Sequence, residues 1–344
     1  MEVMSALRTF AGACALLLVL PCASAVAGDI GKLAPGKVTP GKVTASKVAT
    51  VVAAPGKAAA VPNKVSFYFA AHEDDWQLFM NPNAFKDVTG GARKTVFIHV
   101  TAGDAGLGAG SGGRKHPFYL ARENGALQAI RFMVDADKSP VKDSEGPVNI
   151  GGHSIFRVRY GNAISYFLRL PDGGTGAGFA GTGFQSLKRL ADGQIGAMSA
   201  VDGSTSYRNW NDLVDTVQHI ISFERGHSPL AEINIADLDP SINLHDHADH
   251  LATAKLGLDA VKNMNCVSRA YYVDYASAKL PANLNAQDRD MKSAVFAVTL
   301  DGIIDFDHRT LWHHYDGFYS GREYFRVQRA GPDCLKGTAV AGQP

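Results

Sequence analysis

The sequence predicts an α/β domain built around a largely parallel sheet. Two apolar, aromatic runs of strand length, 65–71 and 94–101, are separated by a short segment that is able to form helical turns. A Gly-rich loop at 102–113 and a stretch with apolar residues at helical spacing, 119–134, come next. Because strands that alternate with helices are typical of parallel pairing, we expect a largely parallel sheet packed against helices.

The later elements continue this pattern, with more β-structure in the middle of the chain. The runs 155–160 and 164–170 predict a hairpin that turns at Gly161-Asn162. A second Gly-rich loop follows at 173–183. Beyond it, periodicity predicts a helix, a strand and two further helices, at 213–223, 232–236, 247–264 and 291–299.

The N-terminal part of the chain differs in composition from the folded part. Residues 1–27 combine Arg8, a short apolar run and small residues suited to cleavage, which predicts a signal peptide and a secreted or periplasmic protein. An uncleaved membrane anchor is the alternative, although the apolar run is too short to span a bilayer. Residues 28–63 lack aromatic residues and are rich in Lys, Ala, Val, Pro and Gly, so we expect a flexible linker. The remainder is divided into a folded domain at 64–330 and a C-terminal tail at 331–344.

Composition and charge favour a small-molecule or glycan substrate over a nucleic acid. The formal net charge is +1, and 19% of the residues are charged, so the chain offers no strongly basic surface. We expect no stable membrane span after the signal peptide is removed, although the basic linker could associate weakly with an anionic cell surface. Outside the cytoplasm, Cys266 and Cys334 could form a disulfide or remain two buried thiols.

Three acidic residues follow a histidine directly after the first predicted strand, in the segment Ala71-His72-Glu73-Asp74-Asp75. Ligands of open α/β sheets bind beyond the carboxyl ends of strands. One turn of the chain brings His72 and Asp75 to the same side, where a nitrogen and a carboxylate oxygen could reach one cation. Asp74 then points elsewhere and is free to act on a water molecule. A surface acidic cluster is the alternative, but adjacent carboxylates repel one another unless a cation lies beside them.

A second cluster, His245-Asp246-His247-Ala248-Asp249-His250, contains three histidines and two aspartates where a later helix begins. Such a cluster is typical of metal binding, with a solvated His-rich loop as the alternative. Combining His72, Asp75 and His250 gives two nitrogens and one carboxylate, and this set leaves a fourth coordination position open. The sequence therefore predicts one catalytic zinc ion, Zn2+, per chain.

These motifs resemble those of the LmbE-like, or PIG-L, N-deacetylases. That family carries Ala-His-Pro-Asp-Asp after its first strand and His-x-Asp-His late in the chain, where this sequence has residues 71–75 and 247–250. The loop at 101–106 and the pair Arg122-Glu123 also look like family features. The resemblance spans about 64–330 and implies a Rossmann-like three-layer sandwich with a mostly parallel sheet.

The resemblance also implies a reaction, the hydrolysis of an N-acetyl amide on an amino-sugar-containing substrate. The implied zinc ligands are His72, Asp75 and His250. Asp74 is the implied general base toward a metal-activated water. A protonated His247 would stabilise the oxyanion or act as an acid, with Asp249 orienting its ring.

Substrate contacts are less firmly implied, because the sequence departs from the family pattern in two places. Arg122 and Asp104 are expected to contact sugar hydroxyls, with a structural salt bridge as the alternative role of Arg122. Glu73 stands where the family has Pro, which leaves the ligands untouched. Trp76 stands where an acidic residue often follows. It would either reshape the surroundings of the ligands or, as a substrate contact, offer a face on which a sugar stacks.

Two other classes of function stay open at this stage. The spacing His245-x-His247-x-Asp249-His250 fits the signature of metallo-β-lactamase-like hydrolases, which bind two metal ions, although that motif usually comes early in the chain. The other class is a non-enzymatic sugar-binding protein of the cell envelope, carried on a basic tether.

Overall fold

A computed structural model describes residues 63–136, 141–310 and 312–334. In these ranges the chain forms an eight-stranded mixed sheet with helices on both faces, which confirms the predicted α/β class. The strands of this sheet are β1 (Lys64–Ala70), β2 (Lys94–Thr101), β3 (Asp143–Ile150), β4 (His153–Tyr160), β5 (Ala163–Leu170), β8 (Leu230–Ala236), β9 (Val267–Tyr272) and β10 (Phe325–Gln328). The short strands β6 (Met198–Ser199) and β7 (Ser206–Tyr207) pair separately.

The centre of the sheet is parallel and its edges are antiparallel. The strand order is β10-β9-β8-β1-β2-β5-β4-β3. All pairs from β9 to β5 are parallel, whereas β10, β4 and β3 each pair antiparallel with a neighbour. The predicted hairpin is confirmed as β4–β5, where Tyr160 lies opposite Ala163.

Helices cover the sheet as two outer layers. One layer comprises α4 (Leu187–Ala191), α5 (Trp210–Arg225) and α6 (Ala248–Ala260), which enclose one hydrophobic core against the sheet. The other comprises α1 (Asp75–Phe79), α2 (Asn83–Lys86), α3 (Phe118–Asp135), α7 (Ala286–Asp305) and α8 (Trp312–Tyr319), which enclose a second core. A π-helical turn, Asp87–Gly91, leads from α2 to β2.

The central strands are buried on both faces, which explains why they read as continuous apolar runs. In β1, Phe67 and Phe69 enter the core beneath α5 and α6, whereas Tyr68 and Ala70 enter the core on the opposite face. The sheet therefore forms the middle of three layers, and its strand ends lie between the two helical layers.

The structure tests the predictions for the C-terminal segment but not those for the N-terminal one. The predicted signal peptide, 1–27, and the linker, 28–63, lie outside the described residues except for Asn63, so this division of the chain stays a prediction. Among the helices of the described ranges, none has the length and apolar character needed to cross a membrane. Within the predicted tail, Cys334 forms a disulfide with Cys266, which decides between the two alternatives for these thiols.

Candidate metal centre

The carboxyl end of β1 places His72 and Asp75 side by side. The chain turns once after Ala71, so that the Asp75 N–H donates to the carbonyl oxygen of His72 at 3.3 Å. In return, the His72 N–H donates to Asp75 Oδ2 at 2.7 Å. This small loop holds His72 Nδ1 3.5 Å from Asp75 Oδ1, with both side chains buried. The spacing of three residues therefore acts as the sequence predicts.

The N-terminus of α6 brings His250 to the same place, because α6 follows β8 and β8 is the parallel neighbour of β1. His247 caps the helix, and its Nδ1 accepts the N–H of Asp249 at 3.2 Å. His250 lies in the first turn and points inward, and its Nε2 is 3.2 Å from Asp75 Oδ1 and 3.3 Å from His72 Nδ1.

The three predicted ligands therefore form a compact triangle of donor atoms, with sides of 3.2, 3.3 and 3.5 Å. Donors at about 2.0–2.2 Å from a tetrahedral ion lie roughly 3.3–3.6 Å apart, so the triangle has the size of one face of a zinc site. Two imidazole nitrogens and one carboxylate oxygen are also donors that zinc accepts. The residues present fit a single divalent metal ion with one face left open.

Two further carboxylates hold the outer nitrogen of His250. His250 Nδ1 lies 2.9 Å from Asp246 Oδ1 and 3.2 Å from Asp274 Oδ2. Asp274 follows the end of β9, and its own N–H donates to Asn243 Oδ1 at 3.0 Å. Carboxylates in this position fix the tautomer of a ligand histidine, so that Nε2 is free for the metal.

Two carboxylates also lie close to the outer nitrogen of His72. Its Nε2 lies 3.6 Å from Asp249 Oδ2 and 4.0 Å from Asp172 Oδ2. Asp249 is fully buried and accepts the N–H of Gly173 at 2.7 Å. A Cβ on Gly173 would lie 2.6 Å from Asp249 Oδ1, so the Gly-rich loop at 173–183 can approach the site only with glycine there.

The electrostatics of the triangle favour bound positive charge. Burial lowers the pKa of His72, but the carboxylates of Asp75 and Asp249 outweigh burial and raise it to about 10. Burial also opposes the charged form of His250, yet Asp75 and Asp246 raise its pKa well above the ordinary value. For Asp75, burial favours a higher pKa, but the imidazoles of His250 and His72 outweigh burial and hold the pKa well below its ordinary value. A divalent cation would meet the same demand for positive charge after displacing these protons.

The structure bears on two expectations about His247 and Asp249. Burial, together with the nearby rings of His72 and His250, lowers the pKa of His247, which favours the neutral ring over the protonated one expected from the sequence. Because Nδ1 accepts the backbone N–H of Asp249, the neutral ring carries its proton on Nε2. The Asp249 carboxylate lies 3.6 Å from His72 and 3.9 Å from His247, so its role in orienting the His247 ring stays a prediction.

Arg122 reaches from α3 to the acidic segment after β1. Its Nη2 donates to Asp74 Oδ1, and its Nε lies 3.0 Å from Glu73 Oε2. Burial raises the pKa of Glu73 to about 8, although Arg122 acts in the opposite direction. The positive charge expected beside the adjacent carboxylates is thus supplied in part by Arg122. A direct contact between Arg122 and a substrate stays a prediction.

Two other predicted substrate contacts are wrong, because both side chains are fully buried. Trp76 points into the core and packs against Phe97, with ring centroids 4.7 Å apart. Asp104 accepts the N–H groups of Gly108 at 2.7 Å and Asp172 at 2.9 Å. Asp104 therefore shapes the loop after β2, and neither residue offers a surface to a sugar.

The two-metal alternative loses one of its ligands. The clusters of His and Asp ligand atoms found within 4.8 Å of one another in the described ranges do not include His245. His245 is exposed and has a positive φ of 57°. His247, Asp249 and His250 instead gather around His72, which the two-metal signature does not use.

A cavity of about 840 Å³ opens beside His247, between α4 and α6. Its lining combines leucine and alanine side chains with polar and charged ones, among them two lysines that are already paired within their own helices, Lys188 with Asp192 and Lys255 with Asp259. A cavity of this size is in the range of small-molecule sites.

Some residues of the site escaped prediction. Asp172 and Asp274 each follow the carboxyl end of a strand, β5 and β9 respectively. Position after a strand was the available signal for Asp172, since β5 is predicted. For Asp274 no such signal existed, because the sequence pattern did not reveal β9.

The fold and the site together define an α/β protein with a candidate metal centre at the carboxyl ends of parallel strands. Comparisons with family models and with curated proteins found no match. Among solved structures, the chain is similar to N,N'-diacetylchitobiose deacetylase from Pyrococcus horikoshii in complex with its inhibitor MPG, with a TM-score of 0.44 and 14% identity over 78% of this chain and 84% of that chain. This likeness is too weak to bear on function.

Proposed function

We propose that the protein is a metal-dependent hydrolase that removes the N-acetyl group from an amino-sugar-containing substrate. The observation that carries the proposal is the triangle of His72 Nδ1, Asp75 Oδ1 and His250 Nε2, with sides of 3.2–3.5 Å. When bound there, one zinc ion would act as a Lewis acid toward the amide carbonyl and lower the pKa of a water molecule to about 7.

Two further side chains supply the proton transfers of an amide hydrolysis. Asp74 lies next to the ligand Asp75, with 22% of its side chain exposed. It serves as the general base that accepts a proton from the attacking water, and it returns this proton to the amine nitrogen as the C–N bond breaks. His247 is neutral with its proton on Nε2, so it donates a hydrogen bond to the oxygen on which negative charge develops.

The substrate extends beyond the acetyl group. The cavity of about 840 Å³ adjoins His247 and has space for a sugar together with the group that carries it. The same cavity suits a binding protein without catalytic activity, which is the second candidate function. The metal triangle, with Asp74 adjacent in the chain to its ligand Asp75, favours the enzyme.

Export from the cytoplasm is part of the proposal. The disulfide between Cys266 and Cys334 supports an oxidising compartment, because such bonds are rare in reducing cytosol. The signal peptide at 1–27 and a weak association of the basic linker with an anionic surface remain predictions from the sequence.

The test combines metal analysis with an assay of acetate release from a panel of N-acetylated amino sugars and their oligosaccharides. We expect one zinc per chain and acetate release by the wild-type protein. Asp74→Asn should keep the metal and lower kcat by about 10²–10⁴-fold. Asp75→Asn, the matched control on the neighbouring carboxylate, should lose the metal as well. A binding protein would retain ligand affinity in Asp74→Asn and release no acetate in any form.

A further inference from the structure

The guanidinium of Arg122 is held on three sides by segments that surround the candidate general base. Nη2 donates to Asp74 Oδ1, Nε faces Glu73 Oε2 at 3.0 Å, and Nη1 donates to the carbonyl oxygen of Gly103 at 3.2 Å. The Arg122 side chain is 15% exposed and that of Glu73 is 1% exposed. This geometry differs from a solvent-exposed ion pair, which fixes its partners only loosely.

The loop after β2 is shaped around this contact. Gly103 has a φ of +49°, and a Cβ at this position would lie 2.6 Å from Glu73 Oε2 and 2.9 Å from Arg122 Cζ. The Nε–Oε2 contact lacks hydrogen-bond geometry, and no other partner of the Glu73 oxygens occurs in the described ranges. The Glu73 carboxyl group therefore lies directly behind the Arg122 guanidinium and limits its movement.

Asp74 has no comparable support from its own helix. It is the residue that caps α1, yet its side chain accepts no capping hydrogen bond. Within the described part of the chain, Arg122 is the hydrogen-bond donor that reaches its carboxylate. Without Arg122, rotation about the side-chain bonds of Asp74 would be limited mainly by packing.

We propose that Arg122 and Glu73 are positioning residues for Asp74. Arg122 fixes Oδ1 and thereby presents Oδ2 for proton transfer, and Glu73 keeps the guanidinium in place. This role rests on the proposed function, because it assumes that Asp74 is the general base. It also differs from the substrate contact predicted from the sequence, since Arg122 would act through Asp74.

The two roles of Arg122 predict different kinetics. Misplacing a catalytic group by about 1 Å costs on the order of 10²-fold in rate. Arg122→Met should therefore lower kcat about 100-fold while KM changes less than about threefold and the zinc content stays the same. Loss of a substrate contact made equally in ground and transition states would raise KM and leave kcat unchanged.

Substitution of Glu73 tests the same inference and should have a smaller effect on kcat. Glu73→Ala should lower kcat about tenfold, and Glu73→Gln, which keeps the shape of the side chain, should restore most of the loss. The matched control is Arg157→Met, because Arg157 is 17% exposed and pairs with the buried Glu224, in contact with no residue of the site. That variant should lose stability with kcat unchanged.

A structural readout separates failure of this inference from failure of the proposed function. In crystals of zinc-loaded Arg122→Met, the Asp74 carboxylate should occupy more than one rotamer, whereas the wild type should show one. A single unchanged rotamer in the variant would overturn the inference, whether or not the protein releases acetate. A rise in KM alone, or a kcat equally reduced in Arg157→Met, would overturn it too. If wild type releases no acetate, the proposed function fails and the rotamer still decides the role of Arg122.

Discussion

Asp246 holds the outer nitrogen of His250, although it lies between the exposed His245 and the half-buried His247. Its Oδ1 is 2.9 Å from His250 Nδ1, and its Oδ2 accepts the side-chain N–H of Asn243 at 2.8 Å. We expect Asp246→Asn to lower zinc affinity about 10–100-fold, because the carboxylate orients the imidazole and raises its basicity. Competition with a metal-binding dye would measure the change.

His245→Ala is the control, since His245 is exposed and belongs to none of the candidate metal groups of the described ranges. It should bind zinc as tightly as the wild type. Equal losses in the two variants would contradict the prediction and would favour the two-metal signature in which His245 is a ligand.

The residues of the site divide into those that local spacing reveals and those that it cannot. His72 and Asp75 were predictable because a single turn of the chain sets their separation. Asp172 and Asp274 are lone acidic residues in the sequence. Their place in the site depends on the strand order, which sets β5 and β9 one strand beyond the two neighbours of β1. The role predicted for Trp76 was wrong because the motif shows only that the residue departs from the family pattern. It does not show that α1 directs the Trp76 side chain into the core.

Helices α3 and α7 pack together through glycine. A Cβ on Gly125 would lie 2.5 Å from the carbonyl oxygen of Thr299 and 2.9 Å from Ile303 Cγ1. We expect Gly125→Ala to lower the free energy of unfolding by about 1–3 kcal/mol, because the added methyl group forces the helices apart. Denaturant unfolding would measure the loss.

Gly317→Ala in α8 is the matched control, because a Cβ there meets no atom within 4 Å. Its helix propensity should raise the free energy of unfolding by up to about 1 kcal/mol. If both variants gained stability, the close approach of α3 and α7 would have to be wrong.

Most elements that bury apolar side chains were predictable, with β9 as an exception, and the edge strands β3 and β10 were not. The strand at Lys94–Thr101 and the helix at Phe118–Asp135 match the sequence pattern closely, because burial imposes a period on their residues. Strand β3 alternates between exposed and half-buried positions, and β10 is exposed along its length. Since an edge strand owes its pairing to one neighbour's backbone, its side chains carry little pattern.

The whole molecule explains why the site lies where it does. From β1 the chain crosses to β2 through α1 and α2 on one face of the sheet. From β8, the other neighbour of β1, it crosses to β9 through α6 on the opposite face. Connections that leave two adjacent strands in opposite directions open a crevice between their carboxyl ends. His72 and His250 meet there, and strand order, which a single sequence does not reveal, decides their meeting.

The disulfide acts at the other end of the sheet. Cys266 immediately precedes β9, and Cys334 follows β10, the antiparallel edge strand beside it. The bond spans 68 residues. In the chain-entropy account, a closed loop of this length stabilises the fold by about 4 kcal/mol, so reduction should lower the free energy of unfolding by about this amount.

Zinc affinity should survive reduction, because the metal triangle lies at the carboxyl ends of the strands, and Cys266 lies at the amino end of β9. A strand of this length spans about 20 Å, which separates the two features. Denaturant unfolding and zinc titration with and without a phosphine reductant would measure both quantities. A variant with both Cys266→Ser and Cys334→Ser should match the reduced protein and ignore the reductant. Loss of zinc affinity in step with stability would show instead that the edge strand and the metal centre open together.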